Sequence, residues 1–363
     1  MVPYPETLSD QTVRMVVRTS VGGPRFRLEF SNAAGGPAVT FGAVHAALRG
    51  KESAIVTGTD RVVTFGGRRD LTLFPGAKAV SDPIDMPVPA LAEVAVSIYL
   101  PQSTPVNTVH SLGLNPAYIA AGNVAGADQL DAPQLARSYF WLAGVSVATS
   151  RRDGGTIVAF GDSITDGYAT TPGAHASWPD LLAARLQANP RTRGWSVVNT
   201  GISGNRILKA GAGDAAVARF DEDVLARPGV RWVLLLEGIN DINMSIIPGV
   251  PDSEDVTADQ IIAGLEQIVE RAHLHGIKVA GGTIMATKGL PFYSAEGEAM
   301  RQAINRWIRT SGRFDAVIDF DAATRDPADP LRLRPDFDPG DHVHPNDAAN
   351  RAMADAIDLG MFK

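Results

Sequence analysis

Four short segments of this 363-residue chain carry side chains able to do chemistry. The first is Gly161-Asp162-Ser163-Ile164-Thr165-Asp166-Gly167, where a serine directly after an apolar run would present its hydroxyl and its backbone N–H on one side of a sheet. Alone, this is also a common turn composition. The second is Asn199-Thr200-Gly201-Ile202-Ser203-Gly204-Asn205-Arg206. Its two glycines in four residues permit backbone conformations that aim an N–H at a reacting atom, although a plain glycine-rich connector has the same composition. In the third, Leu236-Glu237-Gly238-Ile239-Asn240-Asp241, the asparagine can donate an amide hydrogen bond without carrying charge, as a developing alkoxide requires. An Asx turn is its structural alternative. The fourth is Gly340-Asp341-His342-Val343-His344-Pro345-Asn346. A carboxylate three residues before a histidine can bend back to accept the imidazole Nδ1–H, fixing the tautomer and supporting positive charge on the ring.

Together these types suit acyl transfer: Ser163 as nucleophile, His344 as base, Asp341 as its orienting carboxylate and Asn240 as an oxyanion donor. A metal site on Asp341, His342 and His344 is the competing interpretation. It is set aside because no further histidine or carboxylate cluster has ligand spacing, so no metal is expected. Asp162, Tyr168, Trp178 and Arg206 are candidate substrate contacts. For Trp178 and Tyr168 a core role competes, and for Arg206 a solvated loop cation is the better expectation. His45, His110, His175, His273 and His275 have no partner spacing that raises them above structural or surface roles.

The elements that must position these residues are visible as two kinds of periodicity. Up to about residue 120 the pattern has period two, as in Arg25-Phe26-Arg27-Leu28-Glu29-Phe30 and in Val94, Val96, Ile98 and Leu100. Gly22-Gly23-Pro24, Gly35-Gly36-Pro37 and Gly66-Gly67 break these runs at hairpin spacing, predicting an all-β sandwich or jelly-roll-like domain over 1–150. Beyond 150, short apolar runs at 156–160, 195–198, 232–236, 277–280 and 316–318 read as buried parallel strands. Helices are predicted between them, for example over 177–189, 214–226 and 258–275, the last with a glycine stop at Gly276. The result is a doubly wound α/β domain over 151–363, joined to the first by a linker at about 120–155. In such sheets ligands collect at the carboxyl ends of the strands, where three of the four segments fall.

In that order and setting, the four segments resemble the SGNH, or GDSL-type, hydrolase family. Its four namesake residues match Ser163, Gly204, Asn240 and His344, and Asp341 matches the carboxylate of its Asp-x-x-His block, with no departure at these five positions. The resemblance covers about residues 155–361 and leaves the β-rich region outside. It implies a flavodoxin-like sheet, no cofactor, hydrolysis of esters or thioesters, and an oxyanion hole made by Ser163, Gly204 and Asn240. The Gly-x-Ser-x-Gly elbow of ordinary α/β-hydrolases does not occur in the chain.

Composition narrows the partners. Hydrophobic residues make up 45% and charged residues 20%, as in an ordinary soluble protein, and without cysteine neither disulfides nor thiolate metal sites can form. Residues 1–150 carry 11 basic and 11 acidic side chains, leaving 22 and 29 for 151–363, so the whole net charge of −7 lies in the second region. Nucleic acid is therefore not an expected partner. Met1-Val2-Pro3-Tyr4-Pro5-Glu6 lacks the pattern of a secretory signal, and no run approaches the roughly 20 apolar residues of a membrane span. A soluble chain is expected, with oligomeric state and compartment, secretion and periplasm included, left open. The expected activity is serine esterase action on short-chain carboxylic esters of small molecules or saccharides. Carbohydrate acetyl esterase, lysophospholipase, acyltransferase, or a carbohydrate-binding protein with an inactive hydrolase domain are the alternatives. The five tryptophans begin only at Trp141, which weakens the sugar-stacking option for the β-rich region.

Overall fold

The computed structural model describes residues 4–149, 151 and 153–362, so Met1–Pro3 of the amino terminus and Ser150 and Arg152 of the expected linker lie outside the described residues. Its contacts divide the chain into two compact units, residues 1–151 and 152–363.

The first unit is antiparallel throughout. A six-stranded sheet runs in the order Gln134–Ala136, Ala117–Ala121, Gln11–Arg18, Glu93–Leu100, Ala43–Leu48 and Arg61–Val62. A three-stranded sheet runs Leu142–Ala148, Arg25–Ser31, Lys78–Val80. Alternation decides which side chains face inward: Phe26, Leu28 and Phe30 are buried beside exposed Arg25 and Arg27, and they share one core with Val94, Val96 and Ile98 of the larger sheet. The opposite side of the larger sheet is tied down by Arg14. Its guanidinium, 1% exposed, donates to Ser97 Oγ at 2.8 Å and to the carbonyls of Ser53, Ala125 and Ala127 at 2.6, 3.2 and 2.7 Å.

The linker expected at 120–155 is corrected by this arrangement. Ala117–Ala121 pairs along Gln11–Arg18, and Leu142–Ala148 pairs along Arg25–Ser31 through a register shift between Leu142 and Gly144. Ala120 and Ala121 end a strand, and the loop that follows them supplies two of the three carbonyls that hold Arg14, those of Ala125 and Ala127.

In the second unit five parallel strands, β1 (Gly155–Gly161), β2 (Trp195–Asn199), β3 (Val230–Leu236), β4 (Lys278–Gly282) and β5 (Ala316–Ile318), lie in the order β2-β1-β3-β4-β5. This is the flavodoxin-like order, whose strand direction of travel reverses beside β1. Val233 to Leu236 of β3 are buried, as a central strand covered on both faces demands. The helices are α1 (Ser163–Asp166), α2 (Trp178–Ala188), α3 (Ala216–Phe220), α4 (Ile239–Met244), α5 (Ala258–Leu274), α6 (Ala295–Thr310), α7 (Phe320–Thr324) and α8 (Asp347–Asp355). Helix α2 starts where Ser177 caps it, and α5 opens with a Thr257/Gln260 capping box and stops before Gly276 at φ +68°. The helix predicted over 214–226 divides: α3 gives way to a wider π-helical turn over Asp221–Leu225. No helix among the described residues is long and apolar enough to cross a membrane.

Replacing Arg14 by Leu would leave three carbonyls of the first unit without their guanidinium donor. The Arg14→Leu variant is expected to lose about 2–4 kcal/mol, read by denaturant unfolding with amide exchange followed in residues 11–18. A loss under about 1 kcal/mol would mean that the covering loop rehydrates freely.

Candidate active site

The four segments singled out by residue type meet at the carboxyl ends of β1, β2 and β3. Ser163 is the first residue of α1, immediately past β1, and is 7% exposed. Glycine is obligatory just before it: a Cβ on Gly161 would stand 2.3 Å from both the Leu236 carbonyl and Thr165 Oγ1. That close approach brings the end of β1 against the end of β3. Ser163 Oγ lies 2.8 Å from His344 Nε2. On the other side of the ring, His344 Nδ1 lies 2.7 Å from Asp341 Oδ2, while Asp341 Oδ1 accepts the backbone N–H groups of His344 and Val343 at 2.9 and 3.1 Å. Burial pushes the Asp341 carboxyl up, but these hydrogen bonds outweigh it and hold the group below the usual aspartate range. Asp341 therefore stays charged beside the imidazole.

Around Ser163 stand candidate oxyanion donors. Among the described residues neither the Ser163 N–H nor the Gly204 N–H is taken by an acceptor in the chain. Gly204 holds φ +81°, in the left-handed region that favours glycine. Its loop is pinned to α1, where Asp166 Oδ2 accepts Ser203 Oγ and N–H at 2.8 and 3.2 Å. The Asn240 side chain, on α4 after β3, donates one amide hydrogen to the Asn205 carbonyl at 2.9 Å, which fixes the orientation of the group and leaves its second hydrogen for a ligand.

Of the candidate substrate contacts, two are elsewhere than a substrate would need them. Asp162 is 1% exposed, and its carboxylate accepts the Ile164 N–H at 2.9 Å, capping α1 from inside. Trp178 is fully buried with its ring 5.6 Å from Phe320, so the core role holds. Arg206 lines the cleft but is not the solvated cation expected: it is 8% exposed, 2.5 Å from Glu254 Oε2 and 2.5 Å from the Ala210 carbonyl. The Arg206 guanidinium ties its own loop, at Ala210, to the turn that carries Glu254. Tyr168 lies at the rim, 42% exposed, with its ring centroid 4.3 Å from that of His344. The cleft has a volume of about 560 Å³, and Ile239, Met244, Ile247, Leu290, Phe292 and Val343 give it an apolar lining beside Ser163 and His344.

Beneath these loops is a group of charges that residue spacing did not disclose. Arg219 of α3, 6% exposed, donates to Asn205 Oδ1, to the carbonyls of Thr200 and Gly161, and to Asp223, at 2.9, 2.7, 2.9 and 2.8 Å. Its guanidinium also lies 4.0 Å from the centre of the Phe160 ring. Near it, Asp162, Glu237 and Asp241 are each at most 2% exposed. Burial is the main cause of raised values in all three. Asp162 is pushed up to about 7, against the hydrogen bond from Ile164, and Glu237 rises well above its ordinary value, helped by the neighbouring Asp162 charge. Asp241 rises less freely, since its oxygens accept the N–H groups of Ile207 and Leu208 at 2.8 and 3.2 Å.

Among curated proteins none matches the chain. Among the solved structures to which it is similar are three that each align over 56% of its length. One is a G-D-S-L family protein from Desulfitobacterium hafniense DCB-2 (22% identity, 97% of that chain, TM-score 0.41). Another is an acetylxylan esterase from Geobacillus stearothermophilus (25% identity, 91% of that chain, TM-score 0.44). The third is an alpha/beta hydrolase from the metagenome of Lake Arreo, Spain (23% identity, 92% of that chain, TM-score 0.44). The model of the GDSL-like Lipase/Acylhydrolase family matches residues 159–352, more than half of the chain, and spans every segment that meets at Ser163. The chain belongs to this family of ester hydrolases.

Proposed function

We propose that the protein is a serine esterase that cleaves short-chain carboxylic esters through an acyl-enzyme on Ser163. The observation that carries this reading is the relay of two short contacts, Ser163 Oγ to His344 Nε2 at 2.8 Å and His344 Nδ1 to Asp341 Oδ2 at 2.7 Å. His344 takes the serine proton as Oγ attacks the acyl carbon, and the charged Asp341 stabilises the imidazolium that results. The N–H groups of Ser163 and Gly204 and the second amide hydrogen of Asn240 receive the developing oxyanion. His344 then returns its proton to the leaving alkoxide. In the second half a water molecule, deprotonated by His344, attacks the acyl carbon, and Ser163 departs with its proton restored.

Asp162 has a different part in this reading. Its carboxyl is the internal cap that sets the backbone at Ser163, and it is held in the interior at a cost that depends on pH. In the unfolded chain Asp162 titrates near 4, in the folded one at about 7. Below pH 4 both forms carry the proton; as pH rises toward 7 the unfolded chain releases it first, so stability present in acid is lost.

Ser163→Ala is expected to lower kcat by at least about 10⁴-fold with aryl esters, and retention of near-native turnover would reject the nucleophile. Asn240→Ala should cost about 10²–10³ in kcat with little change in unfolding temperature; an unchanged rate would take Asn240 out of the oxyanion hole. Asp162→Asn keeps an oxygen to accept the Ile164 N–H, so thermal unfolding from about pH 4 to about pH 8 should show it gaining on the native chain as pH rises. Melting curves whose difference does not change with pH would mean that Asp162 is not the buried titrating group.

A further inference from the structure

The Asp341–His344 pair has a counterpart in Asp338, three residues before Asp341, and His342, two residues before His344. Asp338 Oδ2 lies 2.5 Å from His342 Nδ1, and Asp338 Oδ1 accepts the N–H groups of Gly340 and His342 at 2.8 and 3.1 Å. Asp341 serves His344 in the same manner. The two imidazoles differ in what they touch. His344 reaches Ser163, whereas the His342 ring lies on the backbone of Gly289: a Cβ there would stand 2.6 Å from the ring Cγ and 2.9 Å from Cδ2. His342 holds φ +65°, in the left-handed region that few residues other than glycine enter.

Gly289 opens the turn that carries Leu290 and Phe292 to the cleft, where they join Met244 and Ile247 in its apolar lining. Before the turn, the Lys288 N–H donates to the Leu331 carbonyl at 2.8 Å and its ammonium pairs with Asp329 at 2.9 Å. Within it, the Leu290 N–H donates to Thr287 and the Tyr293 N–H to Leu290, at 3.2 and 3.0 Å. The turn is thus fastened at Lys288 and backed at Gly289 by an imidazole that a carboxylate holds in place.

The geometry points to His342, held by Asp338, as a positioning residue that sets Leu290 and Phe292 as the wall receiving an apolar chain of the ester, on its acyl or its alcohol side. This assignment rests on the reading of Ser163 as nucleophile. An apolar wall discriminates chain length only while it is held in contact with the added methylenes, so loosening it should act on long-chain substrates selectively.

The test uses His342→Asn, which removes the ring and suits a left-handed backbone, and Asp338→Asn, which retains an acceptor for the two N–H groups. Phe292→Ala and its combination with His342→Asn complete the set. Values of kcat and KM would be measured with p-nitrophenyl acetate and hexanoate, and with ethyl and hexyl acetate. In His342→Asn the long-to-short ratio of kcat/KM should fall at least about 10-fold in one series, chiefly through KM, and Asp338→Asn should move it the same way. The double variant should lose little beyond Phe292→Ala alone. A ratio unchanged in both series overturns the assignment, whether or not all rates fall together, and so does a double variant whose losses multiply. Ser163→Ala in the same assays keeps the two ideas apart, because its full activity would reject the nucleophile whatever the ratios show.

Discussion

Arg219 lies under the loops that follow β1 and β2, and its hydrogen bonds reach Gly161 at the end of one strand, Thr200 at the end of the other, and the side chain of Asn205. Asn205 in turn accepts the amide of Asn240, which comes from the end of β3. One guanidinium therefore sets the spacing of three loops that no local sequence preference could align. A planar cation with five donors suits this task better than an ammonium would, since its bonds diverge at fixed angles.

That cation is also the local answer to an electrostatic problem. Asp162, Glu237 and Asp241 are buried where the strands converge, and burial drives each toward its neutral form. Arg219 opposes this for Asp162 and Glu237 without cancelling it. The floor of the site is consequently a low-dielectric layer in which a few fixed hydrogen bonds decide backbone orientation, while Asp341 and His344 stand closer to solvent on a separate segment.

The strands that carry the site were legible because their signals are local. The apolar runs at 156–160 and 232–236 can be nothing but buried strands once helices separate them, and Ser163 and Asn240 follow them directly. Helix α6 left no such signal, because its inward face holds Arg301 and Asn305: Arg301 pairs with Asp321 and Glu298, and Asn305 bonds the backbone of Ile284. Helix α8 hides likewise behind Ala349, Asn350 and Ala354. Arg219 and Arg206 look alike in sequence, and only the fold reveals that both are internal. The extent of the linker was misjudged for a related reason, since Ala117–Ala121 earns its strand by pairing with a segment more than a hundred residues away.

The distance along the chain between Ser163 and His344 matters beyond geometry. Helix α8 docks on α2 by contacts far apart in sequence: Asn350 accepts the Trp178 N–H, and Arg185 donates to the carbonyl of Ala354. During translation the serine leaves the ribosome long before the imidazole that would activate it. A nascent chain thus carries the Ser163 hydroxyl without its imidazole neighbour until the segment of His344 has emerged.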